Sequence, residues 1–254
     1  MKIIFAGPTL RGIALDGYRN LEFRQPAKRG DLIRAVRDGA SIIGLIDGVF
    51  ELQPSVWHKE ILFAISEGVA VLGAASMGAL RAAECHAFGM IGVGQVFQAY
   101  VGGEAQDDGD VAQLHGPKEL GYLPLSEPLV NVIATLRELR TSGHIDQQEH
   151  DGLAATARAL FFKDRTYRRI VENADLSNAR RADLSAILKA NSVNVKKQDA
   201  ILLLQMIESE GASSIFDFCQ PQWYLSRTRS LDELLQNDRD SQYNHMEKRP
   251  VTLM

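Results

Sequence analysis

The stretch from Gly68 to Glu84, Gly-Val-Ala-Val-Leu-Gly-Ala-Ala-Ser-Met-Gly-Ala-Leu-Arg-Ala-Ala-Glu, leaves this chain few ways to fold. Val69 to Leu72 is a short β-branched apolar run of the kind that forms a buried strand. From Met77 onward the sequence is rich in Ala, Leu, Arg and Glu, the residues of a helix. Between them only small residues intervene, Gly73-Ala-Ala-Ser76-Met-Gly78. A strand that passes into a helix through small residues brings a side chain and bare backbone N–H groups to the carboxyl edge of a sheet, at the positive end of the helix. Ser76 sits at that turn. The spacing Ala74-x-Ser76-x-Gly78 is a one-letter variant of the nucleophile elbow G-x-S-x-G, in which small neighbours allow the bend that exposes the serine hydroxyl. Two readings of Ser76 therefore stand side by side: a nucleophile, or an N-cap whose oxygen accepts from a backbone N–H.

The flanking sequence repeats the same logic. Lys2 to Ala6 reads as a first strand broken by Gly7-Pro8-Thr9, and Glu22 to Gln25 as a second. Gly30-Asp31 starts a helix that Gly39 stops. Ser41 to Ile46 is a continuous apolar run, suited to a central parallel strand covered on both faces, and it ends in Asp47-Gly48. A helix over 54–67 precedes the strand at 69–72. This alternation predicts βαβ units, hence an α/β fold with a small, doubly wound, mostly parallel sheet of about four strands. In such sheets ligands bind outside the carboxyl ends of the strands. Gly7, Pro8 and Thr9, Asp47-Gly48, and Gly73 to Ser76 are thereby expected to converge on one crevice.

From Gly89 the chain is punctuated by glycine, and beyond Gly116-Pro117 the strand pattern ends. Amphipathic helices are predicted over 126–141, 146–162, 166–173, 179–190 and 195–210, as a bundle or packed on the sheet. The expected divisions are an α/β core over 1–116, a helical region over 117–230, and a polar, poorly ordered tail over 231–254. The Lys163 to Arg169 cluster reads as a solvated helix face or a docking patch for an acidic partner.

Composition excludes several functions. A chain of 254 residues with a net charge of −4 lacks the basic excess of a nucleic-acid binder. No apolar run approaches the roughly eighteen residues of a membrane span, and the sequence runs from Met1-Lys2 directly into a predicted strand, so a cytoplasmic protein is expected. Cys85 and Cys219 lie far apart and the six histidines are scattered, so no metal site is indicated. Neither G-x-x-x-x-G-K-[ST] nor a strand-anchored G-x-G-x-x-G occurs, and no cofactor is expected.

Four motifs in one order, Ile46-Asp-Gly-Val-Phe50, Val56-Trp-His-Lys-Glu60, Gly73 to Glu84, and Phe88-Gly-Met-Ile-Gly-Val-Gly94, resemble the TfuA-like family over roughly residues 1 to 115. The resemblance implies an accessory role beside a YcaO enzyme, which activates a peptide backbone amide with ATP and, with such a partner, installs a thioamide. It further implies release of sulfide from a ThiS-like sulfur-carrier protein ending in a glycyl thiocarboxylate. Cleaving a thiocarboxylate needs a nucleophile, a base and fixed oxyanion donors. On that reading Ser76 is the nucleophile, His58 the base, and Asp47 or Glu60 the group that orients it. Met77 and Gly78 supply the oxyanion N–H groups, and Arg81, with Glu84 beside it, holds the carboxylate or thiocarboxylate. A non-catalytic adaptor that docks the YcaO enzyme and the carrier together is the alternative.

Overall fold

The computed structural model describes residues 1–49, 51, 53–209 and 223–236. Its frame is a five-stranded, wholly parallel sheet of β1 (Lys2–Phe5), β2 (Leu21–Arg24), β3 (Ile42–Leu45), β4 (Ala70–Ala74) and β5 (Ile91–Val93), in spatial order β2-β1-β3-β4-β5. The apolar run at 41–46 becomes the central β3, buried at every position between β1 and β4. The fifth strand lies where the sequence reads only as glycine-rich loop. Gly92 breaks its apolar pattern because a Cβ there would meet the Phe97 ring at 2.1 Å.

Helices α1 (Asp31–Arg37), α2 (His58–Ser66) and α3 (Met77–Cys85) connect successive strands and cover one face. There Leu32, Ala35, Ile61, Ile65 and Ala82 pack against Ile3, Phe5, Ile43 and Leu45. The β1–β2 connection crosses the opposite face without a helix of comparable length. α4 (Gln95–Val101) follows β5, and α5 (Leu129–Thr141), α6 (Gln147–Ala159), α7 (Tyr167–Asn173) and α8 (Asn178–Ala190) then form a helical bundle with its own core around Leu136, Leu139, Leu153, Ile170 and Leu184.

The last long helix, α9 (Val195–Ser209), returns to the sheet and seats Ala200, Leu203, Leu204 and Ile207 on Ile4, Ile42, Leu72 and Ala74. Gly44 in β3 makes room for it, since a Cβ there would lie 2.9 Å from Ile207 and 2.6 Å from Ile4. Both expectations for the helical half thus hold at once, a bundle and a helix on the sheet. Where the sequence reads as a polar tail, residues 229–236 form a helix whose Leu231 and Leu235 pack on Ile33. Residues 237–254 lie outside the described residues.

Candidate functional site

β1 runs out into Gly7-Pro8-Thr9, β3 into Asp47-Gly48, and β4 into Ala75-Ser76. The chain leaving β1 crosses the α9 face, whereas the chain leaving β3 returns over the α1–α3 face. The winding reverses between these neighbours, which is where doubly wound sheets open a crevice. A cleft of ≈ 1010 Å³ lies there, with Pro8, Asp47, Ser76, Met77, His115 and Lys196 among its lining residues.

The turn that delivers Ser76 is strained. The Ser76 N–H donates to the Ala74 carbonyl at 2.9 Å, closing a three-residue γ-turn, and Ala75 at its centre has φ of +69°. That left-handed value in a residue with a Cβ costs on the order of 1 kcal/mol or more. Ser76 occupies the N-cap position of α3, yet its side chain makes no cap bond and has no hydrogen-bond partner among the described residues. The elbow-like placement is thus present and the capping alternative is not realised.

The other polar side chains among the sequence candidates are each engaged by partners other than Ser76. Asp47, 4% exposed, accepts from the Gly7 and Thr9 N–H groups at 2.8 and 3.0 Å and from the Thr9 hydroxyl at 2.6 Å. It therefore fixes the β1 loop instead of orienting a histidine, and the Gly7 and Thr9 amides are spent on it, leaving Pro8 as the member of that loop that lines the cleft. Glu60 is fully buried and accepts from the N–H groups of Gly30, Leu32 and Trp57, tying the start of α1 to the start of α2. Burial pushes its carboxyl up to about 7 against the pull of these three donors.

His58, Glu84 and Arg81 form one cluster along the α2–α3 seam. His58 Nε2 lies 2.9 Å from Glu84 and Arg81 donates to the same carboxylate at 2.6 Å. Arg81 also bonds the Val56 carbonyl and the Ser55 hydroxyl, so it staples the approach to α2 instead of waiting for an anion. Burial raises the Glu84 carboxyl, but the bonds from His58 and Arg81 outweigh it and hold it below the usual carboxylate range. None of the three is among the cleft's lining residues. The Gly78 N–H donates to the Ile46 carbonyl at 3.1 Å and is not free for an oxyanion, which leaves the Met77 N–H as the donor of that pair at the cleft. Cys85 is buried with its thiol pushed up to about 11, an inert core residue as its Ala-rich setting predicts.

Two cleft residues were missed. His115 stands edge-on to Tyr122, ring centroids 5.4 Å apart, and Tyr122 reaches Gln25 at 3.1 Å, so the 115–122 segment walls the cleft against the end of β2. Lys196, the second residue of α9, is 4% exposed, and its Nζ donates to the Val111 carbonyl at 2.8 Å. Burial lowers its pKa to about 8, although Asp47 and Glu127 pull the other way. A signal existed for it: Lys196, Ala200, Leu203 and Ile207 follow helical spacing and share the buried face.

The family model described as TfuA-like protein matches residues 47–166. The chain carries a TfuA-like domain. A comparison with curated proteins gives no match. The TfuA-like match takes in Asp47, Ser76 and His115, while the Gly7–Thr9 loop and Lys196 reach the same cleft from outside it. No described helix is long and apolar enough to cross a membrane.

Proposed function

We propose that this protein serves a YcaO enzyme in backbone thioamidation by releasing sulfide from a thiocarboxylated, ThiS-like carrier, with Ser76 as the acyl-accepting nucleophile. The TfuA-like domain is consistent with a YcaO-associated accessory role. The observation that carries the chemistry is Ser76 itself. Its hydroxyl has no partner among the described residues, it follows a strained turn at the start of a helix, and it borders a cleft large enough for an extended peptide terminus. In this reading the Met77 N–H, at the same helix start, is the oxyanion donor. His58, committed to Glu84, has no part in this reading.

The test is sulfide release from a carrier bearing a glycyl thiocarboxylate. The parent protein is expected to turn it over, and Ser76→Ala to lose at least about a hundredfold in rate. Equal release by Ser76→Ala would remove the nucleophile.

One observation favours the adaptor reading. Leu120, Leu123, Leu125 and Phe161 are 45–65% exposed on the segments that carry Tyr122 and Phe162 to the cleft, an apolar rim of the kind that partners cover. The basic cluster gives that reading little support, because Arg165 is buried against three carbonyls while Lys163, Arg168 and Arg169 pair with Glu51, Glu172 and Asp164. An adaptor would bind the YcaO enzyme less tightly after Leu123→Ser and Leu125→Ser, with any intrinsic hydrolysis of the carrier unchanged.

A further inference from the structure

Successive residues of a β-strand turn their N–H and C=O groups alternately to one side and the other. In β2 the register fixes which residues face which way. Ile4 of β1 lies opposite Phe23, and the Ala6 N–H donates to the Arg24 carbonyl at 3.1 Å. Glu22 and Arg24 therefore face β1, and Leu21, Phe23 and Gln25 face outward, away from the sheet. The Leu21 N–H is taken by the Tyr18 carbonyl at 3.3 Å. The Leu21 carbonyl, the Phe23 N–H and carbonyl and the Gln25 N–H have no hydrogen-bond partner among the described residues.

This open edge is rigid and it leads somewhere. The strand is paired to β1 along its whole length, and the Phe23 ring packs on the α9 face, edge-on to Tyr18 with centroids 6.5 Å apart. An incoming chain thus meets an edge that needs no ordering of its own. Phe23, Arg24, Gln25 and Pro26 line the same cleft as Ser76 and Met77, and the Gln25 side chain accepts from the Tyr122 hydroxyl at 3.1 Å, tying the cleft wall to this edge. Direction then decides what fits. Every strand of the sheet is parallel, so a chain added parallel to β2 points its carboxyl terminus to the rim where the cleft opens. At about 4.8 Å per strand, the end of β4 lies roughly 19 Å across the sheet from such a chain. About six extended residues span that distance.

We infer that the outer edge of β2 binds the carboxyl-terminal tail of the thiocarboxylated carrier as an added parallel strand. This rests on the proposed function, in which that carrier is the substrate. The tail residue opposite Phe23 turns its own N–H and carbonyl away from the sheet. The residue before it donates to the Leu21 carbonyl and accepts from the Phe23 N–H; the residue after it donates to the Phe23 carbonyl and accepts from the Gln25 N–H. The rest of the tail crosses the cleft and brings the thiocarboxylate to Ser76. Because the bonds are to main chain, recognition reads the extension and length of the tail more than its side chains, and it calls for about nine residues free of the carrier's own fold. An edge left open beside a cleft also has a use that an edge blunted by cover or by a bulge does not.

The experiment titrates the full chain into a fluorescein-labelled peptide of roughly the last dozen residues of the carrier, ending in an ordinary carboxylate, with fluorescence anisotropy as the readout and sulfide release from the thiocarboxylated carrier measured in parallel. Single N-methyl groups, each of which removes one amide donor and blocks pairing on its side of the strand, are walked along the peptide. Binding is expected to weaken at least about tenfold at the two positions flanking the residue opposite Phe23, and less than about twofold at that residue itself. Phe23→Pro, which removes an outward donor at an edge position that tolerates proline, should weaken binding of the unmodified peptide at least about tenfold. Equal tolerance of N-methylation at every position, with sulfide release intact, would overturn strand addition and leave Ser76 standing. Absence of peptide binding by the parent, together with sulfide release that survives Ser76→Ala, would remove the proposed function and this inference with it. A parent that elutes as a dimer on gel filtration where Phe23→Pro elutes as a monomer would give the edge to a second copy of the chain and overturn its assignment to the carrier.

Discussion

Lys196 and Glu60 show how differently a buried charge can be used. Glu60 joins two helix starts through three backbone donors. Glu60→Gln must turn its amide nitrogen toward at least one of them, so a loss of about 1–3 kcal/mol is expected in urea unfolding. Lys196 is the opposite case, a charge that stability would be better without. Its pKa is depressed to about 8 from 10.5, so between those values the unfolded chain holds the extra proton and stability rises with pH. Lys196→Met should therefore be more stable than the parent at pH 7, by up to about 3 kcal/mol, with the advantage shrinking as pH climbs from about 8 to 10.5. An advantage independent of pH in calorimetry would show that the ammonium is not buried as described. At this scale the sequence was legible at Ser76, where small residues on both sides mark the turn. It misled at His58 because a position near the carboxyl rim does not fix which way a side chain leaves its helix. For Lys196 the helical spacing marks only a buried face, and it is long-range topology that brings the start of α9 to the cleft.

The α3 helix can follow β4 so closely only because residue 78 is glycine. A Cβ on Gly78 would stand 1.8 Å from the Leu45 carbonyl oxygen, an overlap with backbone that no rotamer relieves. The same approach allows the Gly78 N–H to reach the Ile46 carbonyl, locking the start of α3 against the end of β3. Gly78→Ala should cost at least the ~3 kcal/mol at the top of the usual overpacking range, and it should displace Ser76 together with the helix. Thermal melting would register the first effect and loss of sulfide release from the thiocarboxylated carrier the second; a variant that melts and releases sulfide like the parent would contradict the packing. Elements that obey a simple period, such as the continuous apolar β3 and helices α5 to α8, were legible to within a few residues at their ends. β5 was not, because three residues containing a glycine carry too little pattern to register as a strand.

For the whole molecule, the family match and the folding unit do not coincide. The matched residues 47–166 begin after β1, β2 and β3 have been completed and end before α9. They keep β4 and β5 but lose β3, the partner to which β4 is hydrogen-bonded from Ala70 to Gly73. They also lose Leu203, Leu204 and Ile207, which cover the second face of the sheet. Burying three such side chains is worth roughly 5–9 kcal/mol, comparable to the entire net stability of about 5–15 kcal/mol expected of a domain. Conserving the site therefore requires both flanks: the amino-terminal strands to carry the Gly7–Thr9 loop, and α9 to close the sheet and deliver Lys196. A fragment of residues 47–166 is expected to show no cooperative melt by circular dichroism and to aggregate on gel filtration. A chain ended after Asn194, which keeps all five strands, is expected to bind a hydrophobic dye and to lose sulfide release from the thiocarboxylated carrier. Cooperative melting of the 47–166 fragment would show that the TfuA-like region folds alone, and that the sheet does not need the strands and helix that here complete it.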